Sequence, residues 1–357
     1  MPQHFFTENL MIWTSTHLRP MPWKGEKDPY LIWLSEIILQ QTQVQQGKPY
    51  FLKFKSAYPT VHDLANADED EVMKRWQGLG YYSRARNLHA TAKYVSRELD
   101  GQFPETYEGL LSLKGVGAYT AAAIASFAFG KPVAVVDGNV YRVLTRFFGI
   151  SEPIDTTIGK KQVRQLADKL LDRSDPGAYN QAIMDFGADQ CRPKKPQCSA
   201  CPMTSECVAF KENTVAEFPV KVKKIKKKTR YFNYLVIEFE DGVYLQKRQD
   251  NDIWKDLYQF LLIETDTLFS RQEIEEKISL WELLSKHKPL IKSVSGPFYQ
   301  NLTHQKIVGM FYKIEIECGL KMDERDLIFV ERNNLKNFAV PKLIDWFLTD
   351  KSLSLLL

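Results

Sequence analysis

Hydrophobic and polar positions repeat with a helical period along the first 210 residues of this chain. Apolar residues recur there every three or four positions, a pattern that predicts helices. We predict that the first helix begins at Pro29, with Asp28 as its cap, and ends at Gly47. The other predicted helices, many of them closed by Gly or Pro, lie near residues 61–76, 84–99, 105–111, 118–129, 139–148, 159–172 and 177–188.

Beyond Arg230 the period changes to two, which is typical of strands. Residues 231–239 alternate, Asp241-Gly242 predicts a turn, and residues 243–246 return as the second strand of a hairpin. A further strand is predicted at 307–316, and helices near 271–284 and 341–348. The pattern therefore predicts a multidomain fold, all-α at first and followed by a small α/β domain.

A basic run separates the two patterns. Residues 221–230 read KVKKIKKKTR, with seven basic residues in ten. Such a run can be a solvated linker between domains, or a strap that follows phosphates and adds salt-dependent affinity. Both interpretations can hold together.

Composition narrows the class of protein. A chain of 357 residues has room for two or three domains, and a net charge of +4 permits a nucleic-acid partner without requiring one. The N-terminus does not resemble a signal peptide, and the longest apolar run, 121–129, is far shorter than the roughly 20 residues that span a bilayer. We expect a soluble, cytoplasmic protein with no membrane partner.

Four of the five cysteines are crowded into one segment, with the spacing C-x6-C-x2-C-x5-C. Four thiolates so close in sequence can surround one zinc ion or one iron–sulfur cluster. A single C-x2-C pair favours zinc less than two pairs would, and the spacing resembles the [4Fe–4S] loop that ends endonuclease III-like glycosylase domains. The predicted ligands are Cys191, Cys198, Cys201 and Cys207. Cys318 stands alone, and we expect it to be packed and inert.

A glycine-rich hairpin precedes the apolar helix at 118–129. Gly115 and Gly117 let the backbone approach a large partner, and the next helix points its first N–H groups at that partner, as phosphate binding requires. Together with the downstream Asp137, the hairpin and its helices resemble the helix-hairpin-helix DNA glycosylases. The residues predicted to contact DNA here are Lys114, Gly115, Val116 and Gly117.

Two carboxylates are candidates for glycosidic chemistry. Glu36 lies among apolar residues of the first helix, with Ile32, Gln40 and Gln43 expected on its face. Desolvation raises a carboxyl pKa and so suits a proton donor, although a lone Glu is more commonly a surface residue. Asp137 is expected to cap the next helix. Alone it would be a plain cap, but beside the hairpin its charge can stabilise an oxocarbenium-like sugar.

Position 119 predicts the type of glycosylase. Lyase members of the helix-hairpin-helix group carry a nucleophilic lysine two residues after the second hairpin glycine, and this chain has Tyr119 there. Without an amine to form a Schiff base, the enzyme should cut the glycosidic bond with water and leave the DNA backbone intact.

The resemblance extends to the adenine DNA glycosylase (MutY) family. It rests on the cysteine loop and on the segments MPWK (21–24), SEIILQQTQV (35–44), QGLGYYSRARNL (77–88), LKGVGAYTAAAI (113–124), VVDGNV (135–140) and YNQAIMDFGA (179–188). It implies a base excision repair enzyme that removes adenine paired with 8-oxoguanine or guanine from double-stranded DNA.

The resemblance also implies roles for single residues. Glu36 would protonate adenine N7, Asp137 and Asn139 would steady the cation, and Tyr119 would shield it. Trp23, Lys24, Gln181 and Arg19 would line the adenine pocket. Gln41 and Tyr81 would wedge into the duplex, with Thr42 and Leu79 as further DNA contacts. Each apolar or aromatic member of this set could instead be core packing.

The C-terminal domain resembles the Nudix-like module that recognises 8-oxoguanine in this family. The family's F-S-H-type turn corresponds to Leu302, Thr303 and His304, so the aromatic residue is missing. RQEIEEK (271–277) matches only part of a Nudix hydrolase box, and we interpret it as an amphipathic helix.

The domains implied are a six-helix barrel lobe with the hairpin (29–133), an iron–sulfur lobe (1–28 and 134–212), a basic linker (213–230) and a Nudix-like mismatch-recognition domain (231–357), in a monomer. Two alternatives remain open. One is a glycosylase with the same core that removes thymine from T:G pairs. The other is a cluster-bearing protein that binds DNA without catalysis.

Overall fold

The computed structural model of the chain describes residues 2–222, 227–249, 251–320 and 326–349. The chain divides into two compact units. The helical unit comprises Met1–Asn66 and Asn87–Lys223, and the sheet unit comprises Ala67–Arg86 and Lys224–Leu357. Four residues of the predicted basic linker, 223–226, lie outside the described residues.

The first 222 residues are helical, as predicted. Their helices are α1 (Pro2–Thr16), α2 (Pro29–Leu39), α3 (Val44–Ala57), α4 (Val61–Asn66), α5 (Glu69–Trp76), α6 (Ser83–Glu98), α7 (Tyr107–Leu111), α8 (Ala118–Phe127), α9 (Gly138–Phe148), α10 (Thr157–Leu170), α11 (Pro176–Asp189) and α12 (Val208–Lys211). None of the helices among the described residues is long and apolar enough to cross a membrane.

Helix α2 begins as predicted but ends early. Asp28 caps it by accepting a hydrogen bond from the Tyr30 amide at 2.9 Å. The helix ends at Leu39 and not at Gly47, so that prediction was wrong. Gly47 lies inside α3, where a Cβ would stand 2.8 Å from the Leu39 side chain. The glycine therefore permits a close approach of two helices and does not end one.

The early end of α2 moves two predicted neighbours of Glu36. Gln40 follows the helix as its C-cap, and Gln43 is the N-cap of α3, so neither lies on the Glu36 face of α2. The intervening Gln41 has a φ of +54°, which a helix cannot contain. Glutamine has a good helix propensity, so the tertiary fold, and not local preference, sets this turn.

Two other helices differ from the predictions. The segment predicted as one helix at 61–76 forms two, because Asp68 caps α5 through hydrogen bonds to the amides of Asp70 (2.8 Å) and Glu71 (3.2 Å). Helix α1 was not predicted. It buries Phe6, Leu10 and Trp13 against a core formed by α9, α10 and α11.

The predicted hairpin connects α7 and α8. Gly115 has a φ of +80°, and a Cβ on it would lie 2.6 Å from the Asn87 Cβ. Gly117 is the N-cap of α8, and a Cβ there would meet open space. The Thr91 hydroxyl donates to the Lys114 carbonyl at 2.7 Å and holds the turn. Gly115 is thus required by the fold, whereas Gly117 leaves room for a partner.

The sheet unit contains the α/β domain. Its strands are β1 (Lys228–Phe239), β2 (Gly242–Lys247), β3 (Tyr258–Gln259), β4 (Leu261–Thr265), β5 (Leu290–Asn301), β6 (Gln305–Glu315) and β7 (Leu327–Glu331). In the described residues the order is β3-β2-β1-β6-β5, with β4 paired to β1 and β7 to β2. The β1–β6 pair is parallel and every other pair is antiparallel. The β1–β2 hairpin and strand β6 confirm the predictions, while β3, β4, β5 and β7 were missed.

Helices cover both faces of this sheet. On one face α13 (Arg271–Leu280) and α14 (Glu282–Ser285) pack against the sheet, and on the other α15 (Lys342–Thr349) stacks Phe347 on Phe311 with ring centroids 4.1 Å apart. A capping box at Ser270 starts α13, so the amphipathic helix predicted at 271–277 is confirmed. Cys318 is exposed, which corrects the expectation that it is packed. Cys318 lies three residues after the end of β6, outside the buried part of the sheet.

Candidate active site

Glu36 lies near the C-terminal end of α2 and is only 6% exposed. Burial raises the pKa of its carboxyl to about 7; a hydrogen bond from the Tyr119 hydroxyl lowers the pKa, and the charge of Asp137 raises it further. A carboxylic acid with a pKa near neutrality can both hold and give up a proton at working pH.

Asp137 is the N-cap of α9, as predicted. Its carboxyl accepts hydrogen bonds from the Val140 amide and from the Asn139 side chain, both at 2.7 Å. Burial raises the pKa of Asp137, while those two hydrogen bonds and the charge of Arg142 oppose the rise. The groups that face this carboxyl therefore stabilise its ionised form, together with the N-terminus of the helix.

Tyr119 stands in the first turn of α8. Its hydroxyl is hydrogen-bonded to Glu36 and lies 3.6 Å from the Met184 sulfur. Burial and the neighbouring carboxyls raise the pKa of the phenol well above its ordinary value. The side chain is thus a neutral hydrogen-bond donor at this site.

One cavity of about 170 Å³ brings the predicted catalytic and adenine-pocket residues together. The predicted residues among its lining are Arg19, Trp23, Lys24, Glu36, Thr42, Tyr119, Asp137, Asn139 and Gln181. A second cavity of about 250 Å³ also reaches Glu36, Trp23, Lys24 and Gln181. Residues from α2, α8, α9 and α11 thus meet, although 145 positions separate Glu36 from Gln181 in sequence.

Asp185 belongs to the same site and was missed in the sequence. It is 5% exposed, and one oxygen lies 2.5 Å from Lys24 Nζ while the other lies 3.7 Å from Arg19 Nη1. It stands four residues after Gln181 on α11, so both side chains share a helix face. That spacing was the signal available in the sequence.

Arg142 is a second residue that sequence reasoning missed. Its guanidinium donates to the Asn139 side chain at 2.8 Å, to the Gly187 carbonyl at 2.6 Å and to the Cys191 carbonyl at 2.7 Å. One side chain therefore connects the start of α9 to the first residue of the cysteine loop.

The four predicted cysteine ligands line one cavity together with Arg146. Arg146 Nη1 lies 3.4 Å from the Cys191 sulfur, and its buried Nε has no hydrogen-bond partner in the described residues. Burial raises the pKa of Cys201 to about 12, and the other thiols of the loop raise it further, although a backbone amide opposes them.

The positions of these thiols do not match the coordination of a single metal ion. Among the described residues, no three Cys, His, Asp or Glu side chains are placed to hold one metal ion. The donor set nevertheless suits an iron–sulfur cluster, because four thiols converge without a carboxylate and the unpaired Arg146 N–H could donate to a sulfide.

Two predicted DNA contacts have strained backbones. Gln41 in the helical unit has a φ of +54°, and Tyr81 in the sheet unit has a φ of +49° with 44% of its surface exposed. Such conformations cost of order 1–3 kcal/mol in side-chain-bearing residues and cluster at functional sites. Leu79 is only 6% exposed, so its DNA contact stays a prediction. The Val116 side chain is buried as well, and its amide already donates to Leu113 O at 3.1 Å.

Leu302, Thr303 and His304 form the turn between β5 and β6, here called the recognition turn. The Leu302 amide donates to the Gln305 carbonyl at 2.8 Å, and the His304 carbonyl accepts from the Lys228 amide at 3.1 Å. The Thr303 hydroxyl lies 2.5 Å from the Tyr81 hydroxyl, within the same unit. The turn borders a cavity of about 460 Å³, here called the recognition cavity.

Known proteins resemble this chain, one of them along nearly its whole length. Residues 34–173 match the family described as HhH-GPD superfamily base excision DNA repair protein. The adenine DNA glycosylase of Buchnera aphidicola subsp. Schizaphis graminum is 32% identical over 351 residues, which cover 96% of this chain and 97% of that protein. The chain belongs to the adenine DNA glycosylase family.

Other known proteins resemble part of the chain. The human adenine DNA glycosylase is 44% identical over 213 residues, covering 57% of this chain and 39% of the human protein. A solved structure described as a thermostable thymine-DNA glycosylase has a TM-score of 0.56 and 32% identity, covering 59% of this chain and 97% of its own. The helix-hairpin-helix core and the following α/β domain of this family member confirm the predicted fold class.

Proposed function

We propose that this member of the adenine DNA glycosylase family hydrolyses the N-glycosidic bond of adenine paired with 8-oxoguanine or guanine in base excision repair. The observation that carries the proposal is the shared cavity of Glu36 and Asp137, in which one carboxyl has a pKa of about 7 and the other caps a helix and accepts two hydrogen bonds. A proton donor and a persistent negative charge are the two groups that glycosidic cleavage requires.

Each residue at the cavity supports one part of this reaction. Glu36 protonates N7 of the flipped adenine, so that the base leaves as a neutral molecule. Asp137, fixed by the Val140 amide and Asn139, stabilises the positive charge on the sugar. Tyr119 orients Glu36 and covers the sugar. A water molecule then completes the hydrolysis.

The enzyme is proposed to be monofunctional, without strong lyase activity. A lyase needs an amine in reach of the sugar, and position 119 holds a tyrosine. Lys24 lines the same cavity, but its ammonium is 2.5 Å from the Asp185 carboxylate. The ion pair with Asp185 holds the Lys24 side chain, so this amine is not free to attack the sugar.

The cysteine loop is proposed to hold a [4Fe–4S] cluster through Cys191, Cys198, Cys201 and Cys207. The bound cluster would brace the loop and neutralise the repulsion between its thiolates. Arg192, Lys194 and Lys195 lie between the first two ligands, so the braced segment presents positive charge to DNA. Iron and sulfide analysis of the purified protein separates this proposal from zinc.

The sheet unit is proposed to recognise the base opposite adenine, in line with the resemblance of residues 231–357 to a Nudix-like module. Thr303 and His304 of the recognition turn supply a hydroxyl and an imidazole, each able to donate and accept hydrogen bonds. Their position at the rim of the recognition cavity supports this role.

Single-turnover base release on four duplexes tests the proposal. The duplexes carry A opposite 8-oxoguanine, A opposite G, A opposite T and T opposite G, each treated with and without hot alkali. Breaks only after alkali and only in the first two duplexes are the expected result. Cleavage of T:G alone would instead indicate a thymine-DNA glycosylase, the activity by which the similar solved structure is described. Binding without any cleavage would indicate a non-catalytic protein.

A further inference from the structure

One arginine of the sheet unit connects two segments that border the recognition cavity. Arg230 Nη1 donates to Asp252 Oδ1 at 3.0 Å and to Gln305 Oε1 at 3.1 Å, and its Nη2 donates to Asp252 Oδ2 at 2.7 Å. Asp252 belongs to the loop after β2, and Gln305 directly follows the recognition turn. A planar guanidinium can bind both partners at once, which a lysine ammonium does less well.

The arginine is itself held in one orientation. Its Nε and Nη2 donate to the two carboxylate oxygens of Glu264, both at 2.6 Å, and its guanidinium lies 4.9 Å from the centre of the Phe232 ring. The side chain is 11% exposed. The hydrogen bonds that Arg230 donates to Glu264 raise the pKa of Arg230 against the opposing effect of burial, so the group keeps its charge.

The 252–254 loop, which also lines the cavity, is held by contacts of its own. Arg248 donates to Asp252 Oδ2 at 2.7 Å and to the Ile253 carbonyl at 2.8 Å. Trp254, the next residue, is buried and has a φ of +61°. A tryptophan in this region of φ and ψ is strained, so the surrounding contacts must hold it there.

Both segments line the recognition cavity. Residues 252–254 and residues 301–305 are part of its lining, around a volume of about 460 Å³. In the described residues, Arg230 is the side chain that donates hydrogen bonds to both segments. Strands β1 and β6 pair in parallel, starting with Lys228 opposite Gln305. Arg230 lies two residues further along β1, so its backbone is held by the same strand pairing as Gln305.

We propose that Arg230 is a positioning residue for recognition of the base opposite adenine. It fixes the distance between the 252–254 loop and the recognition turn, and thereby sets the discrimination between 8-oxoguanine and guanine. The inference rests on the proposed function. These two bases differ at one edge, where 8-oxoguanine has an N–H and a carbonyl in place of a bare ring nitrogen. Hydrogen bonds weaken steeply with distance and angle, so a turn that shifts loses this distinction.

The test compares single-turnover rates on A:8-oxoguanine and A:G duplexes for wild type, Arg230→Met, Arg230→Lys and Gln305→Met. Arg271→Met is the matched control, because Arg271 is exposed in the same unit and its partners, Glu275 and the Ile291 carbonyl, do not line the recognition cavity. Incomplete folding lowers the active fraction for both duplexes equally, so the ratio of the two rates reports positioning alone.

We expect the ratio to fall about tenfold in Arg230→Met, as for loss of a charge-assisted hydrogen bond, and less in Arg230→Lys. Gln305→Met removes only the link to the recognition turn and should lower the ratio even if Arg230→Met does not fold. If the ratio is unchanged in Gln305→Met and in folded Arg230→Met, the inference about Arg230 is wrong, while the proposed function still stands. Equal rates in the wild type overturn the opposite-base part of the proposed function, and the inference with it.

Discussion

Glu36 and Asp137 are both carboxylic acids that line one cavity, and their immediate partners differ. Glu36 is surrounded by apolar residues of α2 and receives a hydrogen bond from a phenol, whereas Asp137 receives two hydrogen bonds at a helix N-terminus. The sequence predicted both residues, because apolar neighbours and a capping position are local features. Asp185 and Arg142 escaped prediction, since only the folded chain brings their partners into contact.

The first prediction concerns proton donation. Replacement of Glu36 by Gln should leave binding to mismatched DNA intact and lower the single-turnover rate about 10²–10⁴-fold, the usual contribution of a general acid. The exposed Glu98→Gln is the control. In the wild type the rate should fall as pH rises through about 7, where Glu36 loses its proton. Normal turnover by Glu36→Gln would contradict the assignment of the acid.

The same residue predicts a stability change. The pKa of Glu36 is higher in the folded than in the unfolded state, so its stabilising contribution is present at low pH and is lost as pH rises through about 7. Glu36→Gln should therefore raise the free energy of unfolding relative to wild type by up to about 3 kcal/mol above neutrality. Urea unfolding at acidic and alkaline pH measures this difference, which should vanish near pH 4. A constant difference at every pH would exclude the linkage.

Position 119 gives a third prediction. Tyr119→Lys places an amine in the first turn of α8, beside Glu36 and Asp137, where a Schiff base to the sugar can form. Borohydride should then trap a covalent protein–DNA adduct, and strand breaks should appear without alkali. Tyr119→Phe should give neither product. If Tyr119→Lys folds, binds DNA and traps no adduct, then the cavity does not present this position to the sugar.

At the scale of elements, turns and helix ends place the functional groups. The helix-hairpin-helix could be predicted because glycine spacing is a strong local signal. The end of α2 could not, because glutamine is compatible with a helix and the close approach of α3 to Leu39 is a tertiary contact. Strands β4 and β7 were missed since their neighbours in the sheet come from distant parts of the chain. Strand β5 pairs with the next strand, β6, but its register shifts twice, which interrupts the period of two. Strand β3, with only two residues, is too short to show a period.

The two hairpin glycines should respond differently to alanine. Gly115→Ala adds a Cβ that would stand 2.6 Å from Asn87 at a φ of +80°, so the melting temperature should fall, with a cost of about 1–3 kcal/mol. Gly117→Ala meets open space and should fold normally, but its methyl group should weaken DNA binding by obstructing a phosphate. Thermal unfolding and DNA affinity, measured on both variants, check the contrast. Weakened binding by Gly115→Ala alone would contradict the assigned roles.

At the scale of the whole molecule, each unit has its own core and its own chemistry. The helical unit contains the cavity lined by Glu36 and Asp137 and the cysteine loop, and the sheet unit contains the recognition cavity. The sequence predicted two regions from the change of hydrophobic period. It did not predict that residues 67–86, which include Tyr81, group with the sheet unit, because that grouping depends on long-range contacts such as Tyr258 with Asp70.

Cluster removal gives a prediction at this scale. Cys198→Ser should lower the iron and sulfide content, loosen the basic loop and weaken DNA binding, because the thiol ligands and the loop act together. Cys318→Ser is the matched control, since Cys318 is exposed in the sheet unit. Metal analysis and DNA titration measure the effect. Full iron content in Cys198→Ser would remove this residue from the ligand set.

The sequence by itself determined the features that depend on neighbours along the chain. These are the helical and strand periods, the Asp28 and Asp137 caps, the glycine hairpin and the cysteine spacing, all of which act over a few residues. Tertiary structure decided where α2 ends, which residues surround Glu36, and how Arg230 connects Asp252 to Gln305. Those features depend on burial and on contacts between distant segments, and the free energies of desolvation and of long-range hydrogen bonds exist only once the chain has folded.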